Sequence, residues 1–279
     1  MPISIRQDPS PAPTSPPSFG ALLREWRRRR NLSQLALALE SDISQRHISF
    51  VESGRARPSR EMVLRLAEHL EVPLRERNRL LLAAGFAPVY QERPLTDPAL
   101  DAARRAVERV LAGHEPYPAL AVDRHWTLVA ANRALAPLLD GIAPALLAPP
   151  VNVLRLSLHP DGLAPRIVNF GQWRAHLHER VRQQIEASGD PTLAALLDEL
   201  RALPAPRGHE RRPPAIATDG AGVFVPLQLA SGDDVLTFMS TTMVFGTAVD
   251  VTLSELALEC FFPANAATAE ALREGGGQG

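Results

Sequence analysis

The chain has no lysine: every one of its 30 basic side chains is arginine. Together with the many Ala and Pro residues, that points first to a GC-rich coding sequence rather than to a function. Cys260 is the single cysteine among 279 residues, which excludes a disulfide framework and a cysteine-based zinc site. No apolar run approaches the ~18 residues that a membrane-spanning helix needs, and Met1–Pro17 is Pro/Ser-rich without the apolar stretch of a signal peptide. These absences predict a cytoplasmic protein with no membrane partner. Catalytic signatures are missing as well: there is no His-Glu-x-x-His, no Gly-rich phosphate loop and no Gly-x-Ser-x-Gly elbow. His176 and His178 stand two apart on a helix, so they point to different faces and cannot form a metal pair. Asp233-Asp234 suits a turn better than a carboxylate dyad. The expectation is a protein that is not an enzyme and holds no metal or cofactor.

Charge is distributed unevenly. Phe19–Arg93 carries fourteen Arg against nine acids, a balance of +5, whereas residues 94–279 carry fifteen Arg against twenty-one acids, a balance of -6. A basic front and an acidic back suit a nucleic-acid module joined to a unit with another task. The sequence divides accordingly: a Pro/Ser-rich tail over 1–18, a helical unit over 19–90, a proline-rich linker over 91–98, a mixed unit over 99–272 and a short tail over 273–279. In the mixed unit, helices are expected over Asp101–Ala112, Asn132–Leu139, Phe170–Ala187 and Thr192–Leu203. Strands are expected over Ala119–Val122, Trp126–Ala130, Val223–Ala230, Val235–Val244 and around Ala248–Val251. Gly141–Pro150 and Pro204–Pro214 read as loops, and the periodicity of Leu253–Leu272 does not decide between strand and helix.

Asn31–Gly54, NLSQLALALESDISQRHISFVESG, is the most informative stretch. Ser33 and Ser44 can each N-cap a short helix. Ile43 and Ile48 are spaced for a hydrophobic staple across the second start, and Gly54 supplies the glycine that ends it. Around this pair, helices are expected over Phe19–Arg30, Arg60–Leu70 and Leu74–Ala84, which makes an all-α unit of five. The second helix of the pair turns Ile48 and Val51 inward and Gln45, Arg46, Ser49 and Phe50 outward. Lying in a major groove, Gln can bond adenine, Arg guanine, and an aromatic ring can touch a thymine methyl. Gln34, with the positive end of a helix dipole behind it, would face phosphate, as would Arg55 and Arg57 in the following loop. A bundle of five amphipathic helices that meets a protein, as an antitoxin-like module does, is the alternative.

The order of these residues resembles the Xre/Cro-type helix-turn-helix family, whose pattern is Ser-Gln-x-x-Leu-Ala, a turn, then Ile-Ser-x-x-Glu-x-Gly. The matching positions are Ser33, Gln34, Leu37-Ala38, Ile48-Ser49, Glu52 and Gly54. The resemblance implies that Leu37 and Ala38 face inward, that Gln45, Arg46, Ser49 and Phe50 read bases, and that Arg27 pairs with Glu52 as a structural brace. Phe50 departs from the polar residue common there, and can instead stack within the fold. The stretch Tyr117–Asn132 resembles the start of the ligand-binding domain of MmyB-like transcription regulators. Asn152-Val-Leu-Arg, the helix of Trp173 and Gly189-Asp-Pro continue that likeness. It implies a PAS-like α+β domain with an antiparallel sheet, taking a small apolar, fatty-acid-like effector. Pocket candidates are Trp126, Phe170, Trp173, His176, Leu177, Phe238 and Phe245, although an aromatic at helical spacing is more often core than ligand contact. The combined expectation is a homodimeric regulator that binds a double-stranded DNA operator under the control of a small apolar ligand.

Overall fold

The computed structural model describes residues 17–206 and 224–276. The expectations for residues 1–16, for most of the Pro204–Pro214 loop and for the first residue of the Val223–Ala230 strand lie outside them. The chain divides into two compact units, Met1–Val89 and Tyr90–Gly279.

The described residues of the first unit form five helices: α1 (Phe19–Arg29), α2 (Gln34–Ser41), α3 (Gln45–Glu52), α4 (Arg60–His69) and α5 (Leu74–Ala83). The hydroxyls of Ser18, Ser33, Ser44 and Ser59 accept from the backbone N–H three residues on, so four of the five starts are capped by serine. The continuous apolar run of α2 resolves into a buried pair, Leu37 and Ala38, flanked by exposed Leu35 and Leu39. Asp42 ends α2 in the left-handed conformation (φ 53°), which turns the chain sharply into α3. A Schellman motif closes α3: the N–H of Arg55 bonds the Phe50 carbonyl at 2.8 Å, and that of Gly54 bonds Val51 at 3.1 Å. Gly54, at φ +74°, allows that turn. The shared core gathers Leu22, Leu23, Trp26, Leu37, Ile48, Val51, Val63, Leu66, Leu70, Leu80 and Leu81. Burial of each such large side chain contributes roughly 1.5–3 kcal/mol.

Gly20 shows how closely α1 packs on α3. A Cβ there would lie 2.6 Å from the carbonyl oxygens of both Val51 and Glu52. Those are backbone atoms and cannot swing away, so Gly20→Ala is expected to cost about 1–3 kcal/mol by overpacking. Chemical denaturation of the variant checks this; unchanged stability would mean that α1 can slide.

The second unit is an α+β domain. After a 3-10 turn come α6 (Asp101–Gly113), β1 (Ala119–Val122), β2 (Leu128–Ala131), α7 (Pro144–Leu147), α8 (Val153–Leu158), α9 (Phe170–Ser188), α10 (Pro191–Ala202), β3 (Leu227–Ser231), β4 (Asp234–Val244), α11 (Val251–Ser254), β5 (Ala257–Pro263) and α12 (Ala266–Gly276). The strands form one five-stranded antiparallel sheet in the order β2-β1-β5-β4-β3. Side chains alternate across it. Ala119, Ala121, Leu258 and Cys260 meet Val107 and Leu111 of α6, and burial pushes the Cys260 thiol up. Leu120, Val122, Phe238 and Phe261 face the other way, toward Trp173, Leu177 and Leu197.

Several expectations change here. Residues 91–98 are folded into the second unit rather than serving as a linker: Gln91 bridges Asp250, Arg93 pairs with Asp250 at 3.1 Å, and the Thr252 hydroxyl donates to the Arg93 carbonyl. No strand forms at Ala248–Val251, because the Asp250 carboxylate accepts from Thr252 N–H and starts the short helix α11. Leu253–Leu272 holds both a strand and a helix, and α12 extends to Gly276 into the expected tail. Asn152 caps α8, which the sequence reading left unassigned.

Candidate functional site

Two sites are laid out, one in each unit. In the first unit, Gln45 and Arg46 are exposed on the opening turn of α3, with Ser49 and Phe50 half-exposed behind them. Phe50 is not in the core. Its ring carries the Arg46 guanidinium at 5.2 Å, one helical turn away, a cation–π stack that restrains the arginine. Arg55 and Arg57 are exposed in the loop after Gly54.

The carboxylate of Glu52 holds this face in place. Its side chain is 1% exposed, and it accepts from Arg27 Nε at 2.7 Å and Nη2 at 3.0 Å, and from Gln34 Nε2 at 2.8 Å. Arg24 adds a longer contact at 3.5 Å and donates to the Glu52 carbonyl at 3.0 Å. Burial alone would push this carboxyl up; the bonds from Arg27, Gln34 and Arg24, with the Arg27 charge, hold it below the usual glutamate range. One acid therefore ties α1, α2 and α3 together. Gln34 lies at the start of α2 as expected, with its amide engaged in this network, a role the sequence reading did not give it. Arg24 was missed altogether, although it stands one turn before Arg27 on the same face. Arg30 donates to the carbonyls of Leu70 and Glu71, satisfying the end of α4.

In the second unit a cavity of about 370 Å³ lies between the sheet and helices α8 and α9, within the size range of small-molecule sites. Trp126, Trp173, Leu177 and Phe238 line it, with a larger set of leucines that includes Leu120, Leu135, Leu154 and Leu163. Each tryptophan N–H has a partner: Trp126 Nε1 donates to Gln184 at 2.7 Å and Trp173 Nε1 to Ser157 at 3.0 Å. Trp126 takes a left-handed backbone conformation (φ 65°), uncommon for a bulky residue. The Asp123 carboxylate holds that turn by accepting from the N–H groups of His125 and Thr127, both at 2.8 Å. His125 also reaches Asp190 at 2.9 Å, which joins the turn to the α9–α10 corner. Gly189 (φ 69°) ends α9 there, and Asp190 caps α10.

Three pocket candidates fall elsewhere. Phe170 is buried in the core beneath Arg174 without lining the cavity. His176 packs on Trp173, ring centroids 5.4 Å apart, one position off the lining face of α9. Phe245 lies past the end of β4 and packs with the α6 layer on the opposite face of the sheet. Two charged residues that line the cavity were missed, Arg180 and Glu259. A signal for both was present: Arg180 follows Trp173 and Leu177 at i+7 and i+3 on one helix face, and Glu259 is an acid inside the otherwise apolar strand ALECFFP.

Among the described residues no group of His, Cys, Asp and Glu side chains is placed to hold a metal, and no helix is long and apolar enough to cross a membrane. No curated protein matches the chain at a significant level. Among solved structures, the restriction-modification controller protein C.AhdI from Aeromonas hydrophila is 37% identical over 21% of this chain and 89% of its own, with a TM-score of 0.21. An RNA-binding light-oxygen-voltage receptor is 12% identical over 92% of this chain and 60% of its own, with a TM-score of 0.24. Residues 23–77 match the helix-turn-helix model, and residues 103–274, more than half of the chain, match the model of the MmyB-like transcription regulator ligand binding domain. The chain therefore belongs to the MmyB-like transcription regulators, with a DNA-binding helix-turn-helix unit ahead of the family's ligand-binding domain.

Proposed function

We propose that the chain binds a two-fold symmetric DNA operator as a homodimer, and that a small apolar molecule in the cavity of the second unit sets the affinity of that binding. The observation that carries this reading is a braced polar helix face in the same chain as an apolar cavity of about 370 Å³. In the complex, α3 lies in the major groove with Gln45, Arg46 and Ser49 toward base edges. Phe50 positions Arg46 and can meet a thymine methyl. Arg55 and Arg57 hold phosphates. Gln34 has a second N–H on the amide that bonds Glu52, so it can donate to a phosphate while serving the brace.

Dimerisation follows from geometry. One helix contacts too few base pairs for useful specificity, and two-fold symmetry sets half-sites about one helical turn apart. The effector is an apolar molecule with a fatty-acid-like chain, and it acts by binding the DNA-competent and incompetent arrangements with different affinity. Selection of bound sequences from a random DNA pool tests the DNA half of the proposal. A two-fold symmetric motif is the expected result. Recovery of no motif would favour a protein-interaction module with sequence-blind DNA affinity.

A further inference from the structure

The apolar cavity contains one charged pair, and its arrangement bears on the chemistry of the ligand's head. Cross-strand register places Glu259 opposite Leu120 on one side and Thr242 on the other, all on the cavity face of the sheet. Arg180 reaches across from α9. Its Nη2 donates to Glu259 Oε1 at 2.7 Å and to the Thr242 hydroxyl at 2.9 Å, and its Nη1 donates to Oε2 at 3.1 Å. The Thr242 hydroxyl in turn donates to Glu259 Oε1 at 2.9 Å, which closes a ring of three. The guanidinium is packed over the Trp126 ring at 4.8 Å. Side-chain exposure is 23% for Arg180 and 5% for Glu259. These two are the only charged residues among the described cavity lining, so the lining carries no net charge. Burial, with Arg180 nearby, pushes His176 below the usual histidine value, so it adds no cation near neutral pH.

We propose that this cavity selects an amphiphile with an uncharged head, such as a medium-chain alcohol or ester, and that Glu259 is the residue that rejects carboxylates. The inference rests on the effector reading of the cavity given above. A carboxylate entering here has two options. It can approach Arg180 with Glu259 still in place, which brings two like charges together in a poorly solvated site. Otherwise it can take Arg180 from Glu259 and leave a buried carboxylate without its partner. A hydroxyl or ester carbonyl incurs neither cost. Ser157, which accepts from Trp173 and retains its own O–H to donate, and Ser240 line the same cavity and can bond a neutral head.

The test uses the full-length protein at pH 8, with tryptophan emission as readout, since two of its three tryptophans, Trp126 and Trp173, line the cavity. The probes are decan-1-ol, methyl decanoate and decanoate. The alcohol and the ester are expected to bind at least about tenfold more tightly than decanoate, as the cost of an uncompensated buried charge requires. In Glu259→Gln, the ratio of decanoate affinity to alcohol affinity should rise at least about tenfold. Decanoate binding to the wild-type protein as tightly as the alcohol overturns the inference and leaves the effector reading standing. Binding of none of the three overturns both. The wild-type comparison decides the question even if the variant does not fold.

Discussion

Glu52→Ala is expected to destabilise the helix-turn-helix unit by about 3–5 kcal/mol, the usual cost of removing one partner from a buried, hydrogen-bonded ion pair. The Glu52 side chain is 1% exposed and that of Arg27 11%, so the variant leaves a guanidinium in place with its carboxylate gone. Gln34 loses its acceptor in the same step. Arg24→Ala is the control: that side chain is 44% exposed, and solvent screens its contact, so its loss should cost little. Calorimetry of the full chain should show the transition of the first unit displaced while that of the second stays in place. Equal, small effects of the two variants would mean that the brace contributes nothing. The same carboxylate gives a pH dependence. Its pKa is depressed in the folded state, so its contribution is fully present above the ordinary glutamate value. That contribution is lost as pH falls through the depressed one.

Arg46→Ala should lower discrimination at one base pair of each half-site by about 1–3 kcal/mol, roughly a five- to 150-fold loss of preference, while binding to random DNA changes little. Phe50→Ala should give a weaker version of the same phenotype, because it frees the guanidinium that the ring restrains at 5.2 Å. Arg55→Ala, in contrast, should weaken binding to all sequences alike and flatten its salt dependence. Competition binding with operator variants separates these outcomes. An equal loss on specific and random DNA for Arg46→Ala would remove it from the base-reading set.

The first unit was largely legible because its signals are local. A serine cap, an i, i+4 staple and a terminal glycine each act within one turn, and the structure places helices where they stand. Long-range contacts were another matter: the Arg27–Glu52 pair was expected only through the family resemblance, and the arrival of Arg24 and Gln34 at the same carboxylate, across 28 and 18 residues of sequence, was not read. In the second unit, β5 was unassigned because both of its faces are covered, so ALECFFP lacks the alternation that marks a half-exposed strand. The strand expected at Ala248–Val251 failed for a different reason: Asp250 is a helix cap, and a cap two residues before a threonine outweighs a short apolar run. Aromatic content located the cavity helix and part of the lining, Trp126, Trp173 and Phe238, but not the rest. His176 shares α9 with Trp173 and Leu177 and is rotated off the cavity face, whereas Phe170 lies on that face one turn before Trp173 and packs in the core without lining the cavity. Phe245 lies across the sheet from that cavity.

The account as a whole makes operator binding conditional on the cavity. Its most direct test is the affinity of the full-length protein for its selected operator, measured with and without saturating decan-1-ol. The account predicts a change in Kd of about five- to 150-fold, and the same factor in alcohol affinity when operator is added, because coupling between two sites is reciprocal. An operator Kd that does not move when the alcohol is demonstrably bound would contradict it.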